Sequence, residues 1–419
     1  MSKYDNPWIA KLAIPGVSGL IAFLSYSSQY LFQYLEPGPL TRKQTYIFNT
    51  LVACIWISYG RTCLTDPGHV PEYWSRARLE DDNEHDQHQR SRYCRKCDAP
   101  KPPRSHHCKV CKRCIPKMDH HCPWTSNCVS HFTIPHFMRF LFYATAAMSQ
   151  LEYFIYLRAA EIWALRDMPA IHGPGLWVLI HFFMLIVANS LTLFLVGIML
   201  FRGIYMIATN VTTIEGWEIE RHEQLLRRAR ALGGYLDGPD GIRVKIERHE
   251  YPYDIGIWQN MRDNMGTANI LSWFWPFARG VRTDGMIFET NGFEEPGQGW
   301  PPPDPDRMPR IARSMDAEDA FTYRNGASMA DEVDAFKQRQ QADLARRRPF
   351  RHRFDAETDE PLHDDFLDSD EDASGEEGWA DRDGNRLQDY GVEEDVEFYD
   401  DVPLAELMKR RRAPQADDG

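Results

Sequence analysis

The sequence begins without a cleavable secretory signal. Its first residues, MSKYDNPW, precede a long apolar run, and no small-residue cleavage site follows that run. This absence argues against a leader that is removed during secretion. We therefore expect the protein to stay in the membrane that it enters.

The chain is also low in average hydropathy, with a mean of −0.50. This average conceals four apolar runs in the first half, each close to or above the ~20 residues that cross a bilayer as a helix. The runs are Leu12 to Phe32, Tyr46 to Leu64, Phe137 to Leu157, and Leu176 to Leu200, the last continuing to Ala208. Core helices of a soluble protein are the alternative, but four such runs favour an α-helical polytopic membrane protein with four transmembrane helices.

Lysine and arginine are few in two of the connections between these runs. Residues 33–45 and 158–175 hold only a few, whereas residues 65–136 hold twelve. Because cytosolic loops carry the excess of positive charge, we predict that the long connection is cytosolic and that both termini are too.

Cysteine is rare, with nine residues in the 419-residue chain and none after Cys128. Cys54 and Cys63 lie in the second apolar run, where a small buried thiol is the ordinary interpretation. The other seven fall between residues 94 and 128, on the predicted cytosolic side, where thiols stay reduced. Their crowding favours metal binding or catalysis over disulfides.

The crowded segment has the spacing of zinc ligands. Cys94 and Cys97 form one C-x-x-C pair, and Cys108, Cys111 and Cys114 form two overlapping ones, a density that predicts structural zinc. Two tetrahedral sites need eight ligands, and the segment offers seven cysteines and five histidines: His106, His107, His120, His121 and His131. Six cysteines with two histidines leave one cysteine unused, whereas seven with one histidine leave none. Counting therefore permits a free cysteine without requiring it.

The stretch DHHC at 119–122 combines the residue types of a covalent catalyst. Asp119, His120 and Cys122 supply a group that orients a base, the base itself, and a nucleophile. From spacing alone, Cys122 is equally well a metal ligand or a nucleophile. It lies fifteen residues before the third apolar run, and this position suits a reactant with a polar head in water and an acyl tail in lipid, such as a long-chain acyl-CoA.

The last part of the sequence has few apolar clusters. From about residue 281 it carries Pro-rich WPPPDPD, acidic DDFLDSDEDASGEE and basic islands, a composition that predicts a disordered tail. Its acidic residues supply much of the net charge of −13. That charge therefore says little about the functional core, and the basic islands are interpreted as solvated.

Three motifs in order resemble those of the DHHC protein S-acyltransferases, or palmitoyltransferases. Asp119-His120-His121-Cys122 is followed by Pro123-Trp124 and preceded by the closely spaced cysteines. TDPG at 65–68, after the second run, resembles the family's Asp-Pro-Gly motif, and TTIE at 212–215, after the fourth, resembles its Thr-Thr-x-Glu motif. The resemblance covers roughly residues 10 to 275, and the cysteine segment is most similar to a fungal endoplasmic-reticulum subgroup.

The resemblance implies the metal ligands. One structural zinc would be held by Cys94, Cys97, His107 and Cys114, and the other by Cys108, Cys111, His121 and Cys128.

The resemblance also implies a two-step reaction. Cys122 would be the acylated nucleophile, with His120 as its base and Asp119 orienting that base, braced by Thr213. Trp124 would line the mouth of an acyl cavity. Palmitoyl-CoA would load Cys122, and the acyl group would pass to cytosolic cysteines of membrane-associated proteins. The protein would be a multi-pass protein of the endoplasmic-reticulum membrane with both termini cytosolic, in contact with the lipid bilayer and with no nucleic acid.

The sequence departs from the family pattern at three positions. Ser130 and Thr133 stand where Gly and Asn are usual, so the exit of the cysteine segment toward the third run is expected to differ. Tyr251 stands where Asn is common, at the start of the amphipathic motif YPYDIGIWQNM.

Two other classes of protein share some of these features. A membrane-anchored RING-like ubiquitin ligase would need eight cross-braced ligands ending in a C-x-x-C pair, whereas the last cysteines here are Cys122 and Cys128. A non-catalytic zinc adapter would leave Asp119 and His120 as solvated loop residues. The acyltransferase is preferred because its three motifs occur in order among the four runs.

These predictions divide the chain into six parts. They are a cytosolic N-terminus (1–11), transmembrane helices 1 and 2 (12–64), a cytosolic zinc-binding catalytic domain (65–136), transmembrane helices 3 and 4 (137–208), a cytosolic segment with the TTIE and amphipathic motifs (209–280), and the disordered charged tail (281–419).

Overall fold

The structure is a computed structural model. It describes residues 7–74, 93–169, 173–238, 243–292, 300–302, 304–307 and 337. The chain divides into two compact units, residues 1–308 with 379–419 and residues 309–378, and the helices and hairpins between Pro7 and Arg307 belong to the first. Most of the predicted tail lies outside the described residues.

Helices form most of the described chain. They are α1 (Pro7–Ala22), a π-helical turn (Phe23–Ser27), α2 (Ser28–Leu31), α3 (Arg42–Leu64), α4 (Ile134–Ala164), α5 (Leu176–Thr209), α6 (Thr213–Ala231), α7 (Ile257–Met265) and α8 (Ile270–Phe274), with a 3-10 turn at Pro305–Arg307. Among the described helices, α3 and α5 are long and apolar enough to cross a membrane. The first predicted run falls on α1, the π-helical turn and α2, and the third falls on the 31-residue α4.

Two of the helices begin at a capping box. At the start of α3 the hydroxyl of Thr41 accepts from the N–H of Gln44, and the Gln44 side chain accepts from the N–H of Thr41. Thr212 and Glu215 repeat this arrangement at the start of α6. Each box satisfies two backbone N–H groups that have no partner within the helix. It therefore fixes where the helix begins, which for α6 is Thr213, the residue after the N-cap Thr212.

The longer helices pack through one apolar core. Ile55 of α3, Leu151 of α4 and Leu185 of α5 are each 3 % exposed or less and belong to the same buried cluster. The opposite face of α5 leaves large apolar side chains uncovered, including Phe183 and Phe194. In a membrane these outward side chains would contact lipid rather than water.

Three antiparallel hairpins form the cysteine-rich segment. Their strands are β1 (Tyr93–Cys94) with β2 (Ala99–Pro100), β3 (His106–Cys108) with β4 (Arg113–Ile115), and β5 (His120–Cys122) with β6 (Asn127–Val129). A fourth hairpin, β7 (Tyr235–Asp237) with β8 (Arg243–Lys245), follows α6. Each hairpin is too short to form a core alone, so the first three depend on cross-links and on the helices.

The third hairpin is fixed to the end of α3 by hydrogen bonds. Asn127, which pairs with Cys122 across the hairpin, donates from Nδ2 to the carbonyl oxygens of Thr62 (2.9 Å) and Thr65 (2.8 Å). The hydroxyl of Tyr59 donates to the carbonyl oxygen of Trp124 at 2.9 Å. These bonds set the position of Cys122 relative to the end of α3.

The Asp-Pro-Gly segment packs against the same domain. Asp66 accepts a hydrogen bond from Arg113 of β4 at 2.7 Å. Gly68 has a φ of +93°, and a Cβ there would lie 2.5 Å from the ring of Phe132. Glycine is therefore required here both by the backbone conformation and by the close ring.

The folded part of the chain extends past residue 281, which corrects the predicted start of the disordered tail. His131 bonds to the Thr283 hydroxyl at 2.8 Å, and Tyr73 donates to Asp284 at 2.7 Å. Met286 is 1 % exposed. Composition conceals this packing because polar residues and one short apolar stretch, Met286 to Phe288, lie in a sequence that is otherwise rich in polar residues, glycine and proline.

Candidate active site and metal centres

Two groups of four side chains meet within the hairpins, and they are the two predicted ligand sets. In each group of the described chain, all four ligand atoms lie within 4.8 Å of one another. In the first, Nδ1 of His107 lies 3.4, 3.3 and 3.9 Å from the Sγ atoms of Cys94, Cys97 and Cys114. In the second, Nδ1 of His121 lies 3.6, 3.6 and 3.4 Å from the Sγ atoms of Cys108, Cys111 and Cys128. Tetrahedral Zn²⁺, with bonds of about 2.3 Å to sulfur and 2.0 Å to nitrogen, holds its ligand atoms roughly 3.5 to 3.8 Å apart. The three-thiol, one-imidazole groups therefore fit zinc.

The three hairpins share one turn geometry. The residue four positions after the first cysteine is left-handed in each: Asp98 (φ 52°), Lys112 (φ 54°) and Ser126 (φ 48°). In the second hairpin, the N–H of Cys111 donates to Sγ of Cys108 at 3.3 Å. The first hairpin has the same bond at 3.4 Å.

The third hairpin has this geometry without its second thiol. Thr125 occupies the position of the second cysteine, and its backbone N–H and its hydroxyl both donate to the carbonyl oxygen of Cys122, each at 3.3 Å. Cys122 belongs to neither group of metal ligands. Counting residues in the sequence could not decide between a ligand and a free thiol, whereas the geometry leaves Cys122 outside both groups.

Cys122 lies in a row of three interacting side chains on β5 and the residue before it. Nδ1 of His120 is 2.6 Å from Oδ2 of Asp119. The imidazole also interacts with the Cys122 thiol, and each of the two groups shifts the pKa of the other. Cys122 is 2 % exposed and Asp119 is 4 % exposed. The arrangement can move a proton between sulfur and imidazole while the carboxylate keeps the ring in place.

The electrostatics of this row favour a thiolate beside an imidazolium. Burial disfavours the imidazolium, but the hydrogen bonds to Asp119 and Cys122 outweigh it and raise the pKa of His120 to about 10. Burial likewise disfavours the thiolate, but the bond to His120 and the charge on that ring lower the pKa of Cys122 below its usual value. A cysteine is nucleophilic as its thiolate, so these shifts suit covalent chemistry.

Asp119 is held in place from the start of α6. The backbone N–H of Thr213 donates to Oδ1 of Asp119 at 2.6 Å, and its hydroxyl lies 3.3 Å from Oδ2. The predicted contact between Thr213 and Asp119 is therefore present. Because the N–H belongs to the first turn of a helix, the helix dipole also favours the carboxylate there.

Sequence reasoning missed the cation that holds the Thr-Thr-x-Glu motif. Arg104 donates to Glu215 from Nε (2.5 Å) and Nη2 (2.7 Å). The two side chains are 1 % and 2 % exposed. Nothing in the sequence around Arg104 indicated that its partner would be Glu215, which lies 111 residues further along the chain.

Lys117 and its amide partners were missed as well. The Lys117 ammonium donates to Oδ1 of Asn210 and Oδ1 of Asn264, both at 2.7 Å, and burial lowers its pKa well below the ordinary value. Asn264 in turn donates to the carbonyl oxygen of Ile207 at 3.3 Å. These bonds join α7 to the end of α5 and to the residue two before Asp119.

Ser130 and Thr133, the two departures from the family pattern after Cys128, bond to each other and to their neighbours. The hydroxyl of Thr133 accepts from the N–H of Ser130 at 2.8 Å and donates to the carbonyl oxygen of Cys128 at 2.7 Å. The Ser130 hydroxyl donates to the carbonyl oxygen of Pro67 at 2.8 Å. The exit toward α4 is thus built from side-chain bonds that connect it to the Asp-Pro-Gly segment.

A cavity of about 230 Å³ opens beside His120, between the hairpins and the ends of α4 and α5. Asp119 and His120 line one side, and Arg202 and Met206 of α5 line another. Trp124, predicted at the mouth of an acyl cavity, is 62 % exposed and does not line this one. The cavity can accept an apolar chain next to the reactive row.

Comparison with known proteins places these features in a family. The profile of the DHHC palmitoyltransferase family matches residues 87–220. The chain is 51 % identical to palmitoyltransferase pfa4 of Aspergillus fumigatus, across 96 % of this chain and 98 % of that protein. It is 51 % identical to palmitoyltransferase pfa4 of Emericella nidulans across 97 % and 98 % of the two chains. Palmitoyltransferase PFA4 of Gibberella zeae is 42 % identical, across 99 % and 98 %.

Proposed function

Because the chain belongs to the DHHC palmitoyltransferase family, we propose that Cys122 is the residue that carries the palmitoyl group in its reaction. The chain is a protein S-palmitoyltransferase, and the ubiquitin-ligase and adapter alternatives are set aside. The observation that carries the assignment is geometric. Cys122 lies outside both metal groups and interacts with His120, which bonds to Asp119.

The first step exchanges one thioester for another. The Cys122 thiolate attacks the carbonyl carbon of palmitoyl-CoA, the bond to the CoA sulfur breaks, and the CoA thiolate takes a proton from the His120 imidazolium. Asp119 holds the imidazole so that Nε2 stays directed at the sulfur.

The second step transfers the acyl group to the substrate. His120 takes the proton of a substrate cysteine, the resulting thiolate attacks the acyl-Cys122 carbonyl, and the Cys122 thiolate is released. No oxidant or other reactant is needed, because each step forms and breaks one carbon–sulfur bond.

The donor is palmitoyl-CoA in this proposal. Each acyl methylene that leaves water contributes ~0.8 kcal/mol, so a chain that enters the apolar space beside His120 is held strongly. Arg202 lines that space and is exposed, so its guanidinium can contact a CoA phosphate. Trp124, close to Cys122 and largely exposed, is proposed to contact the acyl chain where it leaves the protein.

The two groups of three cysteines and one histidine would hold structural zinc. Bound there, zinc supplies cross-links that stabilise the short hairpins and takes no part in acyl transfer. Because His121 is a ligand and Cys122 is its neighbour, the second zinc would also fix the backbone that carries the nucleophile.

The protein acts on other proteins at a membrane, and we propose a more specific arrangement. The chain would cross the endoplasmic-reticulum membrane four times. The first span would be α1 together with α2, and the other three would be α3, α4 and α5, so that the hairpins and both termini lie on the cytosolic side. Arg61 near the end of α3 and Arg202 near the end of α5 support this orientation, because both lie at the helix ends beside the hairpins. The substrates would be membrane-associated proteins with cytosolic cysteines.

Acyl loading of the purified protein tests the assignment. With an alkyne analogue of palmitoyl-CoA, the wild type should acquire hydroxylamine-sensitive label, and Cys122→Ser should lose it while retaining two zinc ions per chain. Cys54→Ser is the matched control, since Cys54 lies in α3 outside both metal groups, and it should label normally. Loss of zinc in Cys122→Ser would make Cys122 a ligand and overturn the proposal.

A further inference from the structure

The phenol of Tyr251 contacts the residues that hold the start of α6, the helix whose first turn bonds to Asp119. Its oxygen is 2.6 Å from Oε2 of Glu215, 3.0 Å from Nη2 of Arg104 and 2.8 Å from the carbonyl oxygen of Asn210. A phenol has one proton to donate. The charged carboxylate is the stronger acceptor, so the hydroxyl donates to Glu215 and accepts from Arg104.

Glu215 needs this donor because it is almost completely buried. Its residue is 1 % exposed, and Oε2 accepts from Arg104 (2.7 Å), from the N–H of Thr212 (2.8 Å) and from Tyr251. A buried carboxylate that loses a donor is destabilised and shifts toward its remaining partners. The Tyr251 hydroxyl therefore helps to fix where the carboxylate lies.

The position of Glu215 determines the position of the donor to Asp119. Glu215 accepts from the N–H of Thr212 and its own N–H donates to the Thr212 hydroxyl at 3.2 Å, which closes the capping box. The next N–H, that of Thr213, points at Asp119. Tyr251 is thus connected to Asp119, the residue that bonds to His120, by hydrogen bonds through Glu215 and Thr212 and then by the backbone from Thr212 to Thr213.

A segment from the predicted tail covers Tyr251. The indole of Trp300 packs edge-on against the phenol ring, with 5.4 Å between ring centroids and 88° between planes. Four residues on, Asp304 forms an ion pair with Arg221 of α6, in which the side chains are 13 % and 10 % exposed. The pair fixes the segment to the same helix whose first turn holds Asp119.

We propose that Tyr251 is a positioning residue for acyl transfer, acting through Glu215 and Thr213 on Asp119, and that Trp300 keeps it in place. The proposal rests on the function proposed for Cys122. It assigns to the tail segment 300–307 an influence on the reaction rate, and it gives Tyr251, where Asn is common in the family, a role that depends on its hydroxyl.

The test compares Tyr251→Phe, which removes only the hydroxyl and keeps the ring against Trp300, with the wild type. Acyl loading is followed in a single turnover over a range of palmitoyl-CoA concentrations. Loss of a supporting bond one step from the reacting groups should slow the maximal loading rate by about tenfold. The half-saturating donor concentration should stay within about twofold, because Tyr251 does not line the donor cavity.

Two further variants separate positioning from general damage. Trp300→Ala should slow loading by a smaller factor, and in the Tyr251→Phe background it should add little, because both act through one hydroxyl. Tyr235→Phe, on β7, is the control and should load at the wild-type rate. Zinc content and thermal midpoint are measured for every variant.

The outcomes are distinct. A Tyr251→Phe protein that loads at the wild-type rate overturns the proposal. So does a slower rate that falls in step with zinc loss or with the folded fraction, and so do fully independent effects of Tyr251→Phe and Trp300→Ala. Absence of label on wild-type Cys122 would instead refute the function proposed above.

Discussion

Replacing Arg104 by Met should destabilise the protein strongly. The substitution removes the guanidinium while keeping much of the side-chain volume. Among the described residues it leaves Glu215 with Tyr251 and Thr212 as its donors. Both partners of the lost pair are at most 2 % exposed. Removing one member of a buried pair costs about 3 to 5 kcal/mol, because the other charge remains buried without a counter-charge.

A second substitution shows whether the stranded charge is the cause. Glu215→Gln in the Arg104→Met background replaces the carboxylate with a neutral amide whose oxygen can still accept from Thr212. The double variant should therefore recover more than half of the stability lost in the single one.

The pH dependence has a definite sign. In the wild type, burial would raise the pKa of Glu215, but Arg104 outweighs it and lowers that pKa, so the contribution to stability is present above the unfolded-state pKa and is lost as pH falls through the folded one. In Arg104→Met, burial is no longer offset, and the pKa of Glu215 rises. The difference in unfolding free energy between the wild type and Arg104→Met should therefore shrink as pH is lowered from 8 toward 6.

The assay is denaturant unfolding of the detergent-solubilised protein. Unfolding is monitored by the transfer of released zinc to a chromogenic chelator. If Arg104→Met lowers the unfolding free energy by less than about 1 kcal/mol, the pair contributes no more than an exposed salt bridge, and the argument from burial is refuted. A double variant no more stable than the single one would show that the stranded carboxylate is not the cause.

Three other changes have outcomes that the structure fixes. Asp119→Asn removes the charge that raises the pKa of His120, so less imidazolium is present to stabilise the Cys122 thiolate and the pKa of Cys122 rises. Single-turnover loading should therefore be slower and should reach its plateau at higher pH. An unchanged pH profile would contradict this. Cys128→Ser should lower zinc from two ions to one per chain by metal analysis, since it removes one ligand of the second group, and two retained ions would exclude Cys128 as a ligand. A chain that ends at residue 307, without 308–419, should load at the wild-type rate, because the contacts to α6 are kept; a slower rate would mean that the removed residues contribute.

Features of the fold that depend on local sequence could be predicted. The C-x-x-C spacing and the histidines predicted two ligand sets, and the side chains of each set meet in the structure. This was predictable because short turns in the hairpins determine where these side chains lie. Apolar runs gave α3 and α5. The third run fell on α4, although that helix contains charged residues such as Arg139 and Glu152. The start of the tail was placed too early, since the apolar residues that pack there, Met286 and Trp300 among them, are few and stand in a mostly polar sequence.

The support of the site could not be predicted in the same way. Nothing near Arg104 in the sequence points to Glu215, and nothing near Tyr251 points to Arg104, because chain folding alone brings them together. The DHHC motif named the reacting groups but left the role of Cys122 open. In the third hairpin the neighbour three positions on is Thr125, and Cys122 lies outside both groups of candidate ligands.

Thr125 has a consequence for how the enzyme tolerates metal. A single thiol binds Zn²⁺ far less tightly than a group of three thiols and an imidazole at tetrahedral spacing. Zinc concentrations that would fill the two complete groups are therefore expected to leave Cys122 free of metal and available for the proposed acyl transfer. Thr125→Cys would supply the missing thiol on a turn that already has the shape of a ligand pair, and the same ion that stabilises the domain would then compete with the acyl donor for its sulfur.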